Sequence, residues 1–179
     1  MIEGLVQYDI PFTKVEEHVM KWAAEALDLR HGDAGDPDGP LGLLPVDATV
    51  HDMALYLHRL KTRVDRVDYL ILQALQAKGK AARAYQGANF EYEKQFDEAS
   101  NRVRSKKLFE DYSSGKERAS EATLEVFDQK RLAYQADRLA KIATEAYDVI
   151  KEVKWQLEAM RKDVRASLHG LQFTTSIEN

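Results

Sequence analysis

Two long segments without proline, residues 49–109 and 116–170, repeat apolar residues at alternating spacings of three and four. This spacing places the apolar side chains on one stripe of an α-helix, and segments of this length favour helices that pack along a coiled-coil-like seam. The short break Glu110–Gly115 lies between them and predicts a tight reversal. The sequence therefore predicts an all-α protein whose main part is a long antiparallel helical hairpin, with its tip near residues 110–116.

The first 46 residues differ from the hairpin in composition and charge. Thr13 and Glu16 have the spacing of a capping box and predict a short helix over about residues 14–29, followed by a Gly/Pro-rich acidic linker. Residues 1–56 hold 11 acids and three bases, a net charge of −8 within a total of −4, so the rest of the chain carries +4. We therefore divide the chain into an acidic N-terminal helix and linker, residues 1–46, and the hairpin, residues 47–179.

This charge asymmetry has two interpretations. In the first, the hairpin meets an anionic partner, and the acidic N-terminal part avoids or competes with that partner. In the second, both parts are ordinary solvated faces.

The second long helix of the hairpin carries a continuous apolar seam. A second track, Ala133, Ala140 and Tyr147, lies beside it, so the apolar stripe is wider than one partner helix requires. The surplus predicts a further packing partner, either the N-terminal helix or another subunit, and we favour a homo-oligomer. The core seam consists of Leu132, Leu139, Ile150, Val153, Leu157, Met160 and Val164, with small residues between them.

Basic residues concentrate around the predicted tip. Lys and Arg side chains neutralise phosphates, and a nearby aromatic ring can stack on an unpaired base. A second acid-free basic run lies about 30 Å away along the same helix and would extend the track. The alternative is an ordinary solvated helix end. The predicted nucleic-acid-binding residues are Arg102, Arg104, Lys106, Lys107, Tyr112, Lys116 and Arg118 at the tip, with Lys78, Lys80 and Arg83 in the second run.

Motifs for catalysis or for a cofactor are missing from the sequence. The chain has no cysteine, its five histidines show no metal-ligand spacing, and it contains no phosphate-binding loop, dinucleotide fingerprint or nucleophile elbow. We therefore expect no catalytic residues, metal or cofactor, and a protein that is not an enzyme. No apolar stretch is long enough to span a membrane and no basic leader is present, which favours a cytoplasmic protein.

The run Lys107-Leu-Phe-Glu-Asp-Tyr-Ser-Ser-Gly115, between two long helices with a basic approach, resembles the Leu-Lys-Ala-Arg-Leu-Asp-Tyr-Tyr-Ser-Gly run of the UvsY-type phage recombination mediators. The resemblance covers about residues 55–170. Lys107, Asp111 and Tyr112 occupy matching places, whereas Phe109 replaces the Arg of the family, whose role would pass to Arg104 or Lys106.

The resemblance implies a non-enzymatic, oligomeric phage protein, present in the cytoplasm of an infected or bacterial cell. Such a protein binds single-stranded DNA and helps to load a recombinase onto strands covered by a single-strand-binding protein. The alternative is an oligomeric helical interaction module, such as a scaffold, adaptor or inhibitor, that does not bind nucleic acid.

Overall fold

The computed structural model describes residues 12–31, 47–107 and 115–177, except for the side chains of Phe12, His31, Lys106, Lys107, Glu117 and residues 172–177. These residues form the helices α1 (Phe12–His31), α2 (Val50–Lys107), α3 (Gly115–Glu125) and α4 (Phe127–Ile177), and no strand occurs among them. The long helices α2 and α4 pack against each other, which confirms the predicted all-α helical hairpin. The predicted linker and most of the predicted reversal lie outside the described residues.

A capping box formed by Thr49 and Asp52 stands at the start of α2. The backbone N–H of Asp52 donates to Thr49 Oγ1 (3.2 Å), and the backbone N–H of Thr49 donates to Asp52 Oδ2 (2.9 Å). The Thr49 hydroxyl donates to the same carboxylate oxygen at 2.6 Å. These hydrogen bonds lower the pKa of Asp52, the side-chain bond from Thr49 contributing most. The cap satisfies backbone donors that the first turn of a helix leaves without a partner.

Contacts group the described residues into two compact units. The first unit contains the described residues up to Glu17 and within Ala77–Ala143, and the second contains those within His18–Gln76 and from Thr144 onward. The predicted division at residue 46 stays a prediction.

The second unit has a core in which three helices meet. Ala26 of α1, Leu60 and Val67 of α2, and Ile150 and Leu157 of α4 are all fully buried in one cluster. Trp22 and Leu29 of α1 and Tyr147 of α4 pack against this cluster. Polar contacts join the same helices at the rim: Arg66 Nε donates to Glu25 Oε1 at 2.7 Å, and Lys154 Nζ lies 2.6 Å from Asp68 Oδ1.

The first unit has a core built mainly from small residues. Ala88 of α2 packs with Ala133 and Ala136 of α4, and Tyr92 covers this group. Farther along α2, Ala99 and Val103 form a separate cluster with Ala122 and Val126. Small side chains allow the helices to lie close together along this part of α2.

Two predicted helix boundaries are wrong. The helix predicted over residues 116–170 is interrupted at Val126, a turn residue between α3 and α4, and no Pro or Gly explains the interruption. The predicted stop at Gly170 is absent because α4 continues to Ile177. An interior Gly costs a helix only about 1 kcal/mol relative to Ala, so it does not end a helix by itself.

Candidate nucleic-acid interface

The first predicted base at the tip is engaged within the hairpin. Arg102 on α2 donates from Nη2 to Glu125 Oε2 of α3 at 3.1 Å, and Nε of the same arginine lies 3.3 Å from that oxygen. Half of the Arg102 side chain remains exposed. Arg102 therefore connects α2 to α3, and its charge is partly neutralised before any ligand arrives.

The other predicted basic residues of the tip lie at the end of α2 and at the start of α3. Arg104 is exposed and lies two residues beyond Arg102 on α2, about 200° further around the helix. Lys106 and Lys107 form the last turn of α2. Lys116 and Arg118 stand exposed in the first turn of α3. The Arg102–Glu125 contact and the cluster of Val103 with Ala122 join α2 to α3, so the last turn of α2 and the first turn of α3 lie at the same end of this helix pair. Tyr112 lies outside the described residues.

The second basic run does not form one face. Lys78 is half-buried whereas Lys80 is exposed, and the two positions differ by about 200° around the helix. Arg83 is exposed, lies about 60° from Lys80, and donates from Nε to the carbonyl of Gly79 at 3.3 Å. Only Lys80 and Arg83 therefore share a surface, and the predicted track along α2 is shorter than the run of bases in the sequence.

The core seam is buried within the single chain. Two residues of the surplus apolar track are covered within the chain: Ala133 is buried against Ala88, and Tyr147 packs on the cluster that contains Ala26 of α1. The homo-oligomer that the wide stripe favoured stays a prediction. Within the seam, Leu139, Ile150, Val153, Leu157 and Val164 are buried, and Leu132 and Met160 are half-buried.

Ion pairs and burial shift three further pKa values. The side-chain hydrogen bond from Lys154 to Asp68 raises the pKa of Lys154, and the bond from Lys141 to Asp137 raises that of Lys141. Burial raises the pKa of Tyr56, and the positive charge of Arg63 opposes the shift. The Lys154–Asp68 pair joins α4 to α2, and the Lys141–Asp137 pair lies within one turn of α4.

The described residues contain no group of three or more His, Asp or Glu side chains able to hold a metal ion. None of the described helices combines the length and the apolar character needed to cross a membrane.

One basic surface was not among the sequence predictions. On the first half of α4, exposed aromatic and basic side chains recur at spacings of three and four residues. They fall within about 100° around the helix. The spacing of these residues is visible in the sequence. The apolar seam of α4 has the same spacing over the same residues, so spacing alone does not distinguish the two faces. We call this surface the α4 stripe, which consists of Phe127, Lys130, Arg131, Tyr134, Arg138 and Lys141.

No protein-family model matches this chain, and neither a curated protein nor a solved structure does.

Proposed function

We propose that the protein is a non-enzymatic accessory protein of phage-type DNA recombination or replication. It binds single-stranded DNA through the bases at the joined ends of α2 and α3 and helps to load a recombinase in the cytoplasm of the infected or bacterial cell. The observation that carries the proposal is the position of five basic residues: Arg104, Lys106 and Lys107 lie in the last turn of α2, and Lys116 and Arg118 lie in the first turn of α3. We call these five residues the tip bases.

Charge supports this choice of ligand. Residues 102–118 hold six Lys and Arg against three Asp and Glu, whereas the chain as a whole carries a net charge of −4. An excess of cations around one end of a helix pair attracts a polyanion and raises its rate of association. The likeness of residues 107–115 to the phage recombination mediators adds support for single-stranded DNA and for a recombinase or a single-strand-binding protein as partners.

The test replaces all five tip bases with Ala and measures the binding of fluorescein-labelled oligo(dT) by anisotropy over a series of salt concentrations. Removal of each phosphate contact should reduce the slope of log K against log salt by about 0.7. Helicity should be retained, because Ala is the best helix former and the described tip side chains are exposed.

A matched control removes the same charge from the second unit. The control variant carries Ala at five exposed bases of that unit and should bind with the salt slope of the wild type. Equal weakening in both variants would show that net charge alone drives the association and would reject the tip as the site. The control positions are Arg30, Lys61, Lys151, Lys162 and Arg165.

A second candidate function is an oligomeric interaction module that does not bind nucleic acid. It is favoured by large apolar side chains that remain exposed in the single chain, including Leu124 (71%), Phe90 (68%) and Leu72 (60%). Light scattering that shows an oligomer, together with an oligo(dT) titration that shows no binding, would select this candidate.

A further inference from the structure

The two aromatic residues of the α4 stripe are exposed although they belong to a long packed helix. Phe127 is 58% exposed and Tyr134 is 70% exposed. Both lie outside the buried positions of α4, so core packing does not explain why aromatic residues stand there. An exposed ring on a rigid helix offers a flat surface on which an unpaired base can stack.

Four basic side chains flank these rings on the same face. Lys130 and Arg131 are exposed and lie between the two rings along the helix, while Arg138 and Lys141 follow within the next two turns. The stripe spans 14 residue steps from Phe127 to Lys141, or about 21 Å. The rings are separated by seven residues, which is about 10 Å along the helix axis.

Two of the basic side chains have acidic neighbours that a ligand would have to displace. Arg138 Nη2 lies 3.3 Å from Glu16 Oε2 of α1, and Lys141 Nζ lies 2.6 Å from Asp137 Oδ2. Both cations are more than 60% exposed in these pairs. The carboxylate side chains are only 17% (Glu16) and 29% (Asp137) exposed, so displacing them costs more than the about 0–1 kcal/mol of a fully exposed ion pair.

We infer that the α4 stripe is a second contact surface for single-stranded nucleic acid, on which Phe127 and Tyr134 stack with unpaired nucleobases. Lys130 and Arg131 hold the phosphates between these two nucleobases, and Arg138 holds a phosphate beyond Tyr134. This inference rests on the proposed function, since it extends the same ligand from the tip bases along the first unit. A second copy of the chain is a poorer occupant, because a symmetric pairing of this stripe would bring its cations against those of the other copy.

The experiment uses the full-length protein and the Phe127→Ala/Tyr134→Ala double variant. The double variant should bind oligo(dT) at least about tenfold more weakly, because each stacked base contributes on the order of tenfold or more. Its salt slope should equal that of the wild type, since stacking releases no counterions. Arg131→Gln should instead change the salt dependence: the slope of log K against log salt should be lower by about 0.7.

Three controls make the result specific to the stripe. Trp155→Ala removes an aromatic side chain of α4 that is 66% exposed and lies off the stripe, and it should leave binding unchanged. Phe127→Tyr with Tyr134→Phe keeps both rings and should retain wild-type affinity. A duplex competitor should be bound equally by the wild type and the Ala double variant, because paired bases are not free to stack.

The outcomes separate this inference from the proposed function. Loss of binding in the tip-base variant with full binding in the Ala double variant would overturn the inference and leave the proposed function intact. Absence of oligo(dT) binding by the wild-type protein would reject both. If the Ala double variant binds oligo(dT) normally but dissociates an oligomer seen by light scattering, the occupant is a second copy and the inference is wrong.

Discussion

Arg63 is the buried charged residue of the described part of the chain, with only 7% of its surface exposed. Its Nη1 donates to the carbonyl oxygen of Leu29 at 2.6 Å. Leu29 lies in the last turn of α1, where carbonyl groups have no partner within the helix and the helix dipole attracts a cation. We therefore expect Arg63→Met, which keeps much of the apolar stem and removes the charge, to loosen α1 from α2.

The magnitude follows from burial. A hydrogen bond to a charged group contributes about 1.5–3 kcal/mol, and its removal here also leaves a partly buried carbonyl without this donor. Arg66, three residues later, also contacts α1 through Glu25, but its side chain is 49% exposed. An exposed ion pair contributes about 0–1 kcal/mol, and the stacking of the guanidinium over Tyr69, 5.2 Å from the ring centroid, adds about 0.5–1 kcal/mol.

Urea denaturation followed by far-UV circular dichroism compares Arg63→Met with Arg66→Met at low salt and at about 1 M NaCl, where the Debye length is about 3 Å. Arg63→Met should lower the free energy of unfolding by about 1.5–3 kcal/mol at both salt concentrations. Arg66→Met should lower the free energy of unfolding by less than Arg63→Met does. The share of that loss that comes from the ion pair should disappear at high salt. Equal destabilisation by the two changes, screened equally by salt, would refute the argument that burial distinguishes the two arginines.

The remaining predictions concern the N-terminal cap of α2 and two glycines in its interior. The pKa of Asp52 is lowered from 3.8 by its bonds with Thr49, so the stabilising effect of its ionised form is fully present above pH 3.8 and is lost as the pH falls through the lowered pKa. Asp52→Ala should therefore be less stable than the wild type at neutral pH, by a margin that shrinks in acid; a margin independent of pH would contradict this interpretation. Gly79→Ala and Gly87→Ala should each raise the free energy of unfolding by about 1 kcal/mol, because a Cβ at either position meets nothing within 4 Å. Destabilisation by either change would indicate a close contact with another molecule at that glycine.

The hairpin and the cap of α2 were predictable because their causes are local. The spacing of apolar residues determines which face of a helix is buried, and Thr49 with Asp52 supplies both halves of a capping box. The place of α1 was not predictable in the same way. The wide stripe that includes Tyr147 indicates that something covers it, but the spacing of one helix does not identify the covering element as α1 or a second subunit.

The individual bases were harder to predict than the helices that carry them. The ion pair of Arg102 with Glu125 depends on the register between α2 and α3, which a linear run of bases does not contain. Lys78 and Lys80 are only two residues apart in the sequence, yet they lie on different sides of α2. The helical spacing of Phe127 and Tyr134 is visible in the sequence, but aromatic residues with this spacing on a long helix are usually core residues. Only their exposure in the structure shows that these two are not.

Lysine footprinting tests most directly whether single-stranded DNA binds where α2 ends and α3 begins. The protein is treated with a lysine-selective reagent with and without oligo(dT), and the modification of each lysine is measured by mass spectrometry. We predict protection of Lys106, Lys107 and Lys116, while the exposed lysines of the second unit, Lys61, Lys151 and Lys162, react as they do in the free protein. Unchanged modification of Lys106, Lys107 and Lys116 at saturating oligo(dT) would contradict binding at this end of the hairpin.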